Sequence, residues 1–144
     1  MQSTYSFLDS VVIISHPVIG VITLVGKGTD SISVAMSEQR TGHDVSADGN
    51  VMVSKIAGNN GNVSFDIQQT SQAHKQLLAL FNLLVLADPI SWAAMAITIR
   101  NITDGTGHLC TGVSPQKVPD KKYAKQGGHV SWVFMAADIQ SSTF

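Results

Sequence analysis

Apolar residues recur at every second position through most of this chain, a period that commits it to strands with one face on a core and the other turned outward. In Ser31-Ile32-Ser33-Val34-Ala35-Met36-Ser37 the side chains of Ile32, Val34 and Met36 share one side and small residues share the other. Asn62-Val63-Ser64-Phe65-Asp66-Ile67-Gln68 repeats the pattern, and Met95, Ile97 and Ile99 alternate with Ala96, Thr98 and Arg100. Val130-Ser131-Trp132-Val133-Phe134-Met135-Ala136 is apolar on nearly both faces and reads as a central strand. Val11-Val12-Ile13-Ile14 is a β-branched run that also predicts burial on both sides. A short strand over residues 21–25 is expected after a turn at His16-Pro17. Asn59-Asn60-Gly61 predicts a hairpin joining residues 51–56 to 62–68, and Asp104-Gly105 one joining 94–102 to 108–113, so neighbours should be mostly antiparallel.

One segment breaks the two-residue period. Ala73, Leu77, Leu80, Phe81 and Leu84 recur at helical spacing, Thr70 or Ser71 can cap the start, and Asp88-Pro89 stops the run, which predicts one flanking helix over about residues 71–87. Its second half, Leu83-Leu84-Val85-Leu86-Ala87, is apolar all round and needs cover on more than one side. Either the domain's own loops or a neighbouring subunit supplies that cover. The predicted fold is mainly β, an antiparallel β-barrel or sandwich with one flanking α-helix.

At 144 residues the chain suits a single domain spanning residues 1–144. Only 13% of its residues are charged, against about 25% in ordinary soluble domains. A small protein short of charge has surface to hide, and self-association hides it. A net charge of −1 gives no overall positive field for holding nucleic-acid phosphates. Cys110 stands alone, which removes internal disulfides and multi-cysteine zinc sites and suits a reducing compartment. No apolar run is long enough for a membrane anchor and the first residues lack signal-peptide order, so folding in the cytoplasm is expected.

The chemistry-bearing patterns are weak. Asp44-Val45-Ser46-Ala47-Asp48-Gly49-Asn50 opens like a calcium loop, but Lys55 stands where a bidentate Glu is required, so Asp48-Gly49 reads as a tight bend. Gly20 and Gly26-Lys27-Gly28 are misspaced for a phosphate loop, and Gly28 replaces the magnesium-binding hydroxyl. The five histidines, His16, His43, His74, His108 and His129, form no metal-ligating pair at helical spacing. His108 and Cys110 fall on one strand face and are the least implausible catalytic pair. No catalytic, cofactor or metal residues are assigned. The two long irregular stretches, residues 40–50 and 115–128, are the first candidates for subunit contacts. They supply Arg40, Asp44 and Asp48 on one side and Lys117, Lys121, Lys122 and Lys125 on the other, with Leu84 and Leu86 added from the helix.

Laid out this way, the chain resembles the tail tube proteins of contractile-tailed bacteriophages. The resemblance runs from Tyr5-Ser6-Phe7-Leu8-Asp9 through Ser46-Ala47-Asp48-Gly49 and Thr70-Ser71 with Leu77. Its most specific stretch is Lys117-Val118-Pro119-Asp120-Lys121-Lys122-Tyr123-Ala124-Lys125, then Gly127-Gly128 and Trp132-Val133-Phe134. Between residues 16 and 25 the chain carries only Gly20 where the resemblance implies more glycine, which bears on the first hairpin. The resemblance implies a fold related to type VI secretion tube subunits and hexameric rings stacked into a hollow tube in the virion tail. It also implies a sheath outside, a baseplate and a tail terminator at the ends, and double-stranded DNA passing through without specific binding. Small, polar strand faces that are not basic suit such a conduit, so Ser31, Ser33 and Ser37, with Ser64, Asp66 and Gln68, are expected to face the lumen. Competing readings are a ring-forming connector that does not stack, a small Cys110-dependent hydrolase, and a monomeric ligand-binding sandwich.

Overall fold

The computed structural model describes residues 2–24 and 28–143. After a short 3-10 turn at Phe7–Asp9, the strands are β1 (Ser10–His16), β2 (Gly20–Thr23), β3 (Thr29–Met36), β4 (Thr41–Val45), β5 (Val51–Lys55) and β6 (Gly61–Gln68). Two helices follow, α1 (Gln72–Leu86) and α2 (Pro89–Trp92), and then β7 (Met95–Asn101), β8 (Thr106–Pro115) and β9 (His129–Thr143). Seven strands form one antiparallel sheet in the order β2-β1-β7-β8-β9-β6-β3, and β4 and β5 pair only with each other. The expected tight bend at Asp48-Gly49 closes that pair, with Gly49 at φ +89° and its N–H donating to the Ser46 carbonyl at 3.0 Å.

β9 organises the sheet. Its first half, from His129 to Ala136, pairs with all of β6, while the stretch from Phe134 to Thr143 pairs with β8. One long strand thus serves two halves of a sheet that folds over a shared core, the corner device of sandwiches. The bend is local: β8 carries an extra residue at Gly112, which sits at φ +61° with its missing Cβ position 2.8 Å from the Ala137 Cβ. The core draws on Val12 and Ile14 of β1, Val63, Phe65 and Ile67 of β6, Met95 and Ile97 of β7, and Trp132 and Phe134 of β9. Ile32 and Val34 of β3 pack against it from the far edge. The layers form a sandwich-like fold, and the expected alternative of a closed barrel does not occur, because β2 and β3 remain the two free edges.

α1 begins where expected, with Ser71 Oγ accepting the His74 N–H at 3.2 Å. Ala73, Leu77, Leu80 and Leu84 form its buried stripe. Asp88 ends the run as anticipated but also starts a second, short helix. Its carboxylate accepts the Ser91 N–H at 3.0 Å, and Pro89 occupies the first position, where a missing N–H costs nothing.

Three expectations need correction. The stretch over residues 40–50, expected to be irregular, contains β4. The hairpin joining residues 51–56 to 62–68 across Asn59-Asn60-Gly61 is absent: β5 pairs back to β4, and β6 pairs with β3 and β9. Gly61 instead lets β6 approach its neighbours, since a Cβ there would run into the Ala35 carbonyl oxygen and lie 2.8 Å from Ile139 Cδ1. β1 is buried on one side only, with Val12 and Ile14 inward and Val11 at an exposed face. The expected hairpin across Asp104-Gly105 is present between β7 and β8. The first hairpin also forms, pairing His16 with Gly20; the Gly26-Lys27 part of the expected turn and the Val25 end of the expected strand lie outside the described residues.

Leu84 is 1% exposed in the chain's own core. Leu84→Ala should therefore cost about 2–5 kcal/mol in urea unfolding of the dispersed chain. A change near zero would mean that this helix face is not packed on the sheet.

Candidate functional site

The surfaces that could do work are those the single chain leaves unfinished. One is the β4–β5 arm. Register pairs Val45 with Val51, His43 with Val53 and Asp44 with Met52, so one face of the arm carries Val45, Val51 and Val53 and the other carries Asp44 and Met52. No residue of either strand is buried; Met52 and Val53 are 61% and 64% exposed. A two-stranded hairpin with no covered face is marginal in water. Local bonds hold only its ends. Asp48 accepts the Ser46 hydroxyl and the Asn50 backbone N–H, and these bonds hold its carboxyl below the usual range. At the root, Arg40 donates to the Gly58 carbonyl at 2.9 Å and the Ile56 N–H donates to the Arg40 carbonyl at 3.0 Å.

A second unfinished surface lies at the end of α1. Leu84 was expected among the subunit contacts and is corrected: it points inward, because it shares the helix stripe with Leu77 and Leu80. Leu86, 87% exposed, is open as that expectation required, and Leu83, Val85, Ile90 and Val18 are exposed with it. His16 fastens this region from below. Its Nδ1 accepts the Val18 N–H at 3.1 Å, leaving Nε2–H to donate to the Ser91 carbonyl at 2.8 Å.

A third surface is the basic loop between β8 and β9. Lys117 lies 3.8 Å from Asp120, Lys121 stands 5.2 Å over the Tyr123 ring, and Lys122 and Lys125 are exposed beside them. The loop is anchored at both ends, by the Gln116 N–H on the Val133 carbonyl and by the Gln69 N–H on the Gly128 carbonyl.

The fourth surface is the outer face of β3, β6 and β9. Ser31 pairs with Asp66 and Ser33 with Ser64, and on the other side of β6 Asp66 pairs with Ser131. Both Ser31 and Ser131 donate hydroxyls to the Asp66 carboxylate, so one acid is held across three strands. Ser31, Ser33 and Gln68 are exposed and Ser64 and Asp66 half-buried; Ser37 lies just past β3, its N–H on the Asn60 carbonyl. Lys and Arg are absent from this face.

A polar link inside the core escaped the sequence reading. Trp132 Nε1 donates to His74 Nδ1 at 3.0 Å, tying α1 to the middle of β9. A histidine beside the apolar stripe of a capped helix was the available signal. Burial, and secondarily the nearby Lys121 charge, push the His74 pKa down. Cys110 is also settled by its surroundings. It is fully buried, and burial, reinforced by Asp138, raises its thiol to about 11. Its neighbour His108 meets Ser141 Oγ at 2.9 Å instead. A thiol so enclosed and so seldom ionised at neutral pH is unsuited to nucleophilic attack. Among the described residues, no group of three or more His, Cys, Asp or Glu is placed to hold a metal, and no helix is long and apolar enough to cross a membrane.

The fold, an open sandwich with a flanking helix, is similar to that of chains from contractile injection systems. It resembles a chain of the sheath–tube complex of the extracellular contractile injection system PVC, with TM-score 0.61 and 11% identity over 100% of this chain and 95% of that one. It also resembles a chain of the PVC sheath/tube terminator, with TM-score 0.63 and 9% identity over 99% of both chains. A chain of the anti-feeding prophage baseplate gives TM-score 0.66 and 9% identity over 99% of this chain and 98% of that one. Comparison with curated proteins gives no match. Residues 2–143 match the family of the bacteriophage PhiTE tail tube protein, and the chain belongs to that family.

His74 gives a pH test. Its pKa is lower folded than the usual 6.5 or so of the unfolded chain, so the unfolded state binds the proton more readily. The stability this neutral histidine contributes is complete above about pH 6.5 and is lost as pH falls toward its folded value. The urea midpoint should drop between pH 7.5 and 5, and the drop should shrink in His74→Gln. An unchanged drop would assign the acid sensitivity to other groups.

Proposed function

We propose that this chain is a non-enzymatic subunit of the inner tube of a contractile phage tail. Copies close into hexameric rings, the rings stack, a sheath wraps them, and a baseplate and terminator bound the column. The virion tail is then its working location, after assembly in the host cytoplasm. Double-stranded DNA crosses the lumen without being held.

The observation that carries this reading is the contrast between the chain's surfaces. The outer face of β3 and β6 is small and polar; with the strip of β9 beside it, where Val133 and Met135 join Ser131, it carries the half-buried carboxylate Asp66 and no Lys or Arg, and so offers phosphates nothing to grip. The arm, the end of α1 and the free edges β2 and β3 are apolar or unpaired. Ring closure covers edges that would otherwise recruit strands without limit. Ser31, Ser33, Ser37, Ser64, Asp66 and Gln68 are assigned to the lumen on this ground. The likeness to a terminator chain supports one competing reading, a ring that caps a tube without stacking.

Negative-stain images of the concentrated protein discriminate these: long tubes support the proposal, and isolated rings support the cap. In tubes, Ser33→Lys with Ser64→Lys should leave assembly intact and slow DNA delivery from reconstituted particles. Unchanged delivery would remove this face from the lumen.

A further inference from the structure

The arm and the basic loop leave the sheet from opposite ends of β6. At the Gly61 end, β6 pairs with Met36 of β3, and the segment carrying β4 and β5 runs between those two residues. At the other end Gln68 pairs with His129, where the basic loop enters β9, and Gln69 bonds Gly128. Seven steps of about 3.3 Å separate these ends, roughly 23 Å. The charges are sorted to match. The cations of the arm, Arg40 and Lys55, sit at its root, and its outer part from residue 42 to 54 holds Asp44 and Asp48 with no Lys or Arg. The loop holds Lys117, Lys121, Lys122 and Lys125 against Asp120 alone. Apolar groups accompany both, Met52 with Asp44 on one arm face and exposed Tyr123 and Val118 among the lysines.

We infer that the acidic outer arm of one copy docks on the basic loop of the next copy along the tube. This rests on the tube reading and assigns its stacking contact. Two different patches at opposite ends of one strand can meet only head to tail, and a head-to-tail contact that does not close propagates as a filament. Contacts between exposed charges are weakened by salt. Asp48 suits the role because it is exposed near the tip of the arm, where bonds from the Ser46 hydroxyl and the Asn50 N–H favour its charged form.

The test uses two full-length variants, Asp44→Lys/Asp48→Lys and Lys121→Glu/Lys122→Glu, followed by negative-stain microscopy at low salt. All four positions are exposed, so circular dichroism should match the parent for both. Each variant alone should lose tubes while keeping rings. An equimolar mixture should regain tubes, because each reversed arm then finds a reversed loop; unfolded variants could not produce that recovery. Wild-type tubes should also shorten as salt rises. Tubes from either variant alone, or none from the mixture, would overturn the docking while wild-type tubes leave the tube reading standing. A wild-type chain that never forms tubes would overturn both.

Discussion

The double pairing of β9 is the interaction on which the rest of the fold depends. With β6 on its first half and β8 on its second, this strand turns one sheet into two facing layers. It also supplies Trp132 and Phe134, stacked with ring centroids 6.1 Å apart, to the space between them. The helix is aligned by the same strand through the Trp132–His74 bond, a buried contact in which both partners would otherwise lose water without compensation. Removing Gly112 or Gly61 from this arrangement would push apart strands that must touch at the fold line. A core finished this way leaves β2 and β3 as edges that cannot reach each other.

From that geometry the surface follows. The core absorbs the alternating residues of β1, β6, β7 and β9, and the remaining apolar side chains have nowhere inside to go. They collect on the arm, at the end of α1 and on the outer side of β1, where Val11 and Ile102 are exposed. With few charges to cover a small domain, such surface suits the contact between copies that we propose. The outer face of β3 and β6 is the exception, small and polar, with serines that share one carboxylate, and this suits the passage for a polyanion that we propose.

Much of this was legible in residue order. Period two located the strands other than β4, the 73-77-80-84 stripe with Ser71 and Asp88 located the helix, and the turn chemistry identified a real hairpin at Asp104-Gly105 and a real bend at Asp48-Gly49. Asn59-Asn60-Gly61 misled because it carries the residues of a hairpin turn, while Gly61 is glycine for close approach to Ala35 and Ile139. A segment whose strands pair only with each other looks, residue by residue, like any other hairpin, so the isolation of β4 and β5 was invisible. Val11-Val12-Ile13-Ile14 read as doubly buried because composition cannot say whether a second side is covered by the same chain or by another. Leu84 and Leu86 show the same limit: both are leucines of one apolar run, and only the packed sheet separates the inward one from the outward one. The likeness in sequence to tail tube proteins supplied what physics alone could not, the family to which the chain belongs.

The central claim is that a fold incomplete as a single copy is completed by others, and the arm is where this is most exposed to measurement. Amide hydrogen exchange in β4 and β5 should be followed as a function of protein concentration. The account requires fast exchange in the dilute chain and strong protection once copies associate. Equal protection at every concentration would mean that the arm is stable by itself, and would contradict it.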